Sequence, residues 1–79
     1  MTLDQTPLGA VAKVQGVDAP AGQPELAQAL RDLGFEPGET VRVLKRGAWG
    51  AETLVVRVGN STYALRRAEA ACVVLVPGA

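Results

Sequence analysis

Apolar and polar positions follow two different periods along this chain, and the change between them falls at Gly34. In PELAQALRDLG, Leu26, Leu30 and Leu33 recur at i, i+4 and i+7, which places them on one side of a helix. Pro24 suits the first turn, where a missing N–H leaves no helical bond unmade. Glu25 near the start and Arg31 near the end have the signs that the helix dipole favours. Gly34 stands where a helix takes a left-handed residue in order to stop. Phe35 follows as the apolar contact that often accompanies such a cap, and Pro37-Gly38 aims the segment beyond.

Elsewhere the period is two. MTLDQTPLG reads as a short turn leading into a first strand, AVAKVQGV from Ala10 to Val17. Alternation puts Ala10, Ala12 and Val14 on one face and Val11, Lys13, Gln15 and Val17 on the other, with Gly16 permitting a bulge. DAPAGQP is a loop. TVRVLKR alternates from Thr40 to Arg46. ETLVVRV and STYALR flank Gly59-Asn60, a pair that suits a type II′ hairpin. A two-residue loop sets Val58 opposite Ser61, Val56 opposite Tyr63 and Leu54 opposite Leu65. Every apolar residue of both strands that this register turns to one face then belongs together: Leu54, Val56, Val58, Tyr63 and Leu65. RRAEAA is long enough for one helical turn, and CVVLV closes the chain as a strand. The resulting order is mainly β: a small SH3-like five-stranded barrel, with one α-helix inserted after the first strand and a short helical turn before the last. At 79 residues it is expected to form a single domain, 1–79.

Composition narrows the function. Eight basic residues balance eight acidic ones, and a neutral chain lacks the phosphate-neutralising excess on which nucleic-acid affinity depends. Arg42, Lys45, Arg46 and Arg57 are close enough in sequence to form a basic patch, but a solvated strand face of mixed charge is the expectation. The single cysteine, Cys72, excludes an intramolecular disulfide and agrees with a reducing cytoplasmic setting. MTLD begins neither a basic region nor an apolar run of the secretory kind. The longest apolar stretch, Ala70 to Pro77, falls far short of the roughly 20 residues that span a bilayer.

Catalytic groups are scarce. There is no histidine, and the carboxylates are scattered, so no zinc or ferrous-iron site is spelled out. Divalent ions bridging carboxylates of separate molecules would be an oligomeric matter. Ser61 lies in a turn without a base, Cys72 has no histidine partner, and Glu36 and Glu39 read as solvated loop charges. GFEPG lacks the Lys-Ser/Thr ending of a phosphate-binding loop. The expectation is a binding protein, not an enzyme, with no cofactor. Trp49, between Gly47 and Gly50 in KRGAWGAE, is either an interface anchor or a lid folded over the small core. Tyr63 is expected in the core with its hydroxyl at the rim.

The ordered passages LRDLGFEPGETVRVL, GAWGAE and LVVRVGNSTYALRRAEAACVVL resemble the FeoA family of ferrous-iron-transport accessory proteins, over about Pro7 to Val76. Leu33, Gly34, Phe35, Pro37 and Gly38 match the family's Leu-Gly-hydrophobic-x-Pro-Gly turn. Ala64, Leu65, Arg66, Glu69 and Ala70 match its Ala-Leu-Arg and Glu-Ala pieces. Ala48-Trp49-Gly50 departs from the family's frequent Pro-hydrophobic-Gly. The resemblance implies an SH3-like barrel and a regulatory or assembly role in the cytoplasm beside FeoB, a ferrous-iron transporter with a cytosolic G-protein domain. Contact with the membrane would come only through that transporter. Trp49, Arg46, Gly47, Gly50 and Arg66 are the candidate partner-binding residues. Stimulation of GTP hydrolysis would need an arginine finger, for which Arg46, Arg66 and Arg67 compete. The alternative is an SH3-like nucleic-acid-binding module or one of the metal-dependent repressor type. Exposed strand edges leave pairing with a second copy open.

Overall fold

A computed structural model describes residues 1–47 and 52–77. A short 3-10 turn, Leu3–Gln5, precedes strand β1 (Val11–Val17), helix α1 (Pro24–Asp32), β2 (Thr40–Arg46), β3 (Thr53–Val58), β4 (Ser61–Arg66), a single turn α2 (Arg67–Ala70) and β5 (Val73–Leu75). The strands form one antiparallel sheet in the order β4-β3-β2-β1-β5. The fold is the mainly β, SH3-like one expected from the element order.

The helix stops as its sequence dictates. Gly34 adopts φ +113 and donates to the Arg31 carbonyl, while the Phe35 N–H donates to the Leu30 carbonyl. This pair of bonds is a Schellman cap, and it satisfies carbonyls that the helix end leaves open. The reversal returns Phe35 to the core, where it is 0% exposed and its ring lies 6.4 Å from that of the half-buried Tyr63. Pro37-Gly38 completes a type II turn: Gly38 has φ +91, and the Glu39 N–H donates to the Glu36 carbonyl. Only Leu30 of the helical leucines is buried; Leu26 and Leu33 pack partly against the core, and Ala27 joins the buried side.

The β3–β4 hairpin keeps the expected register, with Val58, Val56 and Leu54 facing Ser61, Tyr63 and Leu65. Gly59 takes φ +57, and no described non-glycine residue has a positive φ, as a type II′ turn requires. Two bulges alter the simple alternation elsewhere. One falls between Val14 and Gly16 of β1 and turns Val17 back toward the core, where strict alternation had put it outward. The other falls between Val43 and Lys45 of β2. It places Lys45 opposite the outward Val55 and Arg46 opposite the inward Leu54.

The N-terminal segment is more than a lead-in turn. Leu3 is 0% exposed in the main core cluster, and Thr6 is buried. Thr2 bridges to Val74, and the Leu75 N–H donates to the Met1 carbonyl. The chain's first residues therefore cover the outer edge of its last strand, which would otherwise expose unpaired backbone groups.

Candidate functional site

Among the sequence-selected residues, Trp49 and Gly50 lie outside the described residues. Their neighbour Gly47 is exposed, has φ +69 and donates its N–H to the Thr53 carbonyl, closing the described part of the β2–β3 connection. Arg66 is exposed at the end of β4, far enough round the hairpin to pair with Thr53. Its backbone N–H donates to Oε1 of Glu69 across the single turn of α2. Gly47, Thr53 and Arg66 thus share one end of the sheet.

Arg46 is engaged within the chain. Its guanidinium donates to the Thr6 carbonyl at 2.8 Å and to the Asp4 carbonyl at 2.6 Å. The β2 bulge supplies the half-turn that lets the side chain reach back over 40 residues. Arg46 therefore ties the N-terminal segment to the β2–β3 end of the sheet, a contact that no sequence pattern announced. Arg46→Gln is expected to lower stability by about 1.5 kcal/mol, the lower end for bonds to a charged group because the site is partly wet. Urea denaturation measures this, and a midpoint equal to that of the unsubstituted protein would deny the tether any weight.

Cys72 is buried, its Sγ 3.4 Å from the Ala68 carbonyl. Burial, followed by the charges of Asp18, Glu69 and Asp4, pushes its thiol pKa up. The thiol consequently stays protonated at neutral pH and makes a poor nucleophile or metal ligand. Among the described residues no group of three or more His, Cys, Asp or Glu is placed to hold a metal ion. Among the described residues no helix is long and apolar enough to cross a membrane.

The charge distribution departs from expectation. The strand face of mixed charge does not exist, because none of the eight carboxylates lies in a strand. Six of the eight cations do: Lys13, Arg42, Lys45, Arg46, Arg57 and Arg66. The acids sit on the turns and helices, where polar side chains serve as caps and solvated ends. Neutrality of the whole chain conceals this separation.

These elements define a class, that of small SH3-like β proteins with a capped helix between the first two strands and a helical turn before the last. The chain belongs to the FeoA family, whose domain model matches residues 1–77. It is 42% identical to FeoA of Stenotrophomonas maltophilia, with a TM-score of 0.87 over 96% of this chain and 89% of that one. That protein was solved in complex with zinc and described as an SH3-domain protein proposed as a bacterial ferrous iron transport activating factor. FeoA of Chlorobium tepidum is 28% identical, with a TM-score of 0.80 over 95% of this chain and 68% of that one. A manganese-dependent transcriptional repressor shares the fold, at 20% identity and a TM-score of 0.80 over 96% of this chain and 40% of the repressor. No curated protein matches the sequence.

Proposed function

We propose that this protein is a cytoplasmic, non-enzymatic accessory and regulatory protein of ferrous iron uptake. It acts by contact with a FeoB-type membrane transporter, at the transporter's cytosolic G-protein portion. The observation that carries this reading is membership of the FeoA family over residues 1–77, together with the likeness to the S. maltophilia protein. The placement of Gly47 and Arg66 at one end of the sheet supports a contact surface there. Trp49 and Gly50 follow Gly47 directly in the sequence, which makes Trp49 the first anchor to test.

A pull-down with the transporter's cytosolic portion, loaded with GTP, GDP or no nucleotide, tests the reading. Binding in at least one state is expected, with little change in the rate of GTP hydrolysis. Absence of binding at high micromolar concentration in all three overturns it. Trp49→Ala is expected to weaken the complex by about tenfold or more, the scale of an aromatic hot spot, while the melting temperature moves little. A large fall in melting temperature with unchanged affinity would instead assign Trp49 to the core.

A further inference from the structure

The outward face of the sheet carries a charge that the fold itself does not explain. Arg42 on β2 and Arg57 on β3 are direct cross-strand partners, and Val11 on β1 and Thr62 on β4 extend the same row. Like charges placed directly opposite each other destabilise a sheet. Lys13, Lys45 and Arg66 stand on the same outward side, and no strand contributes a carboxylate to offset them. The Arg57 guanidinium is steadied by a bond from Nε to the Gly59 carbonyl. Both arginines border an open depression of about 290 Å3, lined also by Val11, Thr40, Val41 and Gly59. Val11 is 57% exposed there, an apolar side chain beside two guanidinium groups. The Glu39 carboxylate lies close to Gly59 but is not part of the lining.

We propose that this depression is a docking site for an acidic segment of a protein partner, with the Arg42 and Arg57 guanidinium groups taking one or more carboxylates and Val11 an adjacent apolar side chain. The proposal deepens the accessory-protein reading above and rests on it for the source of the partner. An incoming carboxylate relieves the repulsion between the arginines, and guanidinium groups match carboxylates in planar, two-bond geometry. The described aromatic residues favour a peptide over nucleic acid: Phe35 is buried and Tyr63 is on the inward side of β4, so neither offers a stacking platform on this face. The concave seat, only a few side chains across, suits an extended peptide better than the plane of a bilayer.

The test is fluorescence anisotropy of a labelled poly-glutamate peptide titrated with the full chain at low and at physiological salt. Arg42→Gln and Arg57→Gln are each expected to weaken binding by about tenfold. Arg31→Gln, which removes an equal charge from α1, should leave it nearly unchanged. Affinity should fall as salt rises, and both face variants should melt no lower than the unsubstituted protein, since each removes one partner of the opposed pair. Three results overturn the proposal: no peptide binding at low salt, equal loss in Arg31→Gln, or loss of binding accompanied by a fall in melting temperature. A single-stranded oligonucleotide or a phosphatidylserine vesicle that binds more tightly, with the same dependence on Arg42 and Arg57, also overturns it. If the peptide binds through the two arginines but the transporter portion does not bind, the transport reading fails and the acidic-segment site stands. If the transporter portion binds and neither arginine affects either probe, the site fails alone.

Discussion

Phe35→Ala is expected to leave the chain largely unfolded in dilute buffer at room temperature. Among the described residues Phe35 is the largest fully buried side chain, and it occupies the position where the helix hands over to β2. Its backbone makes one bond of the helix cap and its ring meets Tyr63 across the core. Alanine would lose the transfer free energy of the ring and leave a cavity in a core cluster built mainly of valine and leucine. Substitutions of this kind cost about 3–5 kcal/mol, and a domain of this size rarely has more than about 3–5 kcal/mol to lose. Far-UV circular dichroism and urea denaturation give the readout. A cooperative transition with a midpoint close to that of the unsubstituted protein would show that the core does not depend on this junction.

Leu3→Ala should come close to the same result from the opposite end of the chain. Leu3 is 0% exposed within the main cluster, although it belongs to a three-residue turn rather than to a strand or long helix. Its truncation is expected to cost about 2–5 kcal/mol. The effect reaches beyond the lost contact, because the same segment carries the Thr2–Val74 bridge and the Met1 carbonyl that receives the Leu75 N–H. Release of the segment exposes the edge of β5, so amide exchange at Leu75 should accelerate before global unfolding. A loss under about 0.5 kcal/mol, the range of ordinary surface substitutions, would place the N-terminal turn outside the cooperative core. Arg46→Gln loosens the same segment from the β2 side and provides the milder comparison.

The readable parts of the fold are those whose signals are local. The Leu-Gly-Phe cap needs only a glycine that tolerates a positive φ and an apolar residue after it, and both are adjacent in sequence. The Gly59-Asn60 hairpin needs only a turn type and two alternating strands. The bulges were harder. Gly16 marked the first, but nothing in Thr40-Val41-Arg42-Val43-Leu44-Lys45 marks the second, because its extra residue is a leucine with ordinary backbone preferences. That missed bulge reversed the sides of Lys45 and Arg46, so the tether from Arg46 to Asp4 and Thr6 could not be foreseen. Leu3 was hidden for a related reason: one leucine has no period, and its burial depends on pairing across more than 70 residues.

The candidate site shows the same division. Trp49, between Gly47 and Gly50, reads in the sequence either as an interface anchor or as a core lid, and family membership over residues 1–77 supports a role in ferrous iron transport. Arg42 and Arg57 were among the four cations that sequence could group into a basic patch, but the balanced charge count favoured a mixed face, and only the β2–β3 ladder sets the two side by side.

Sequence alone determined the order of elements, the helix cap, the hairpin register and the family, because each rests on contacts between near neighbours or on motifs in a given order. Tertiary structure decided which face each cation occupies, that the first residues close the last strand, and that the strands' outward side is basic. Those features follow from long-range pairing and bulges, and a single-residue slip in a strand of period two exchanges inside for outside.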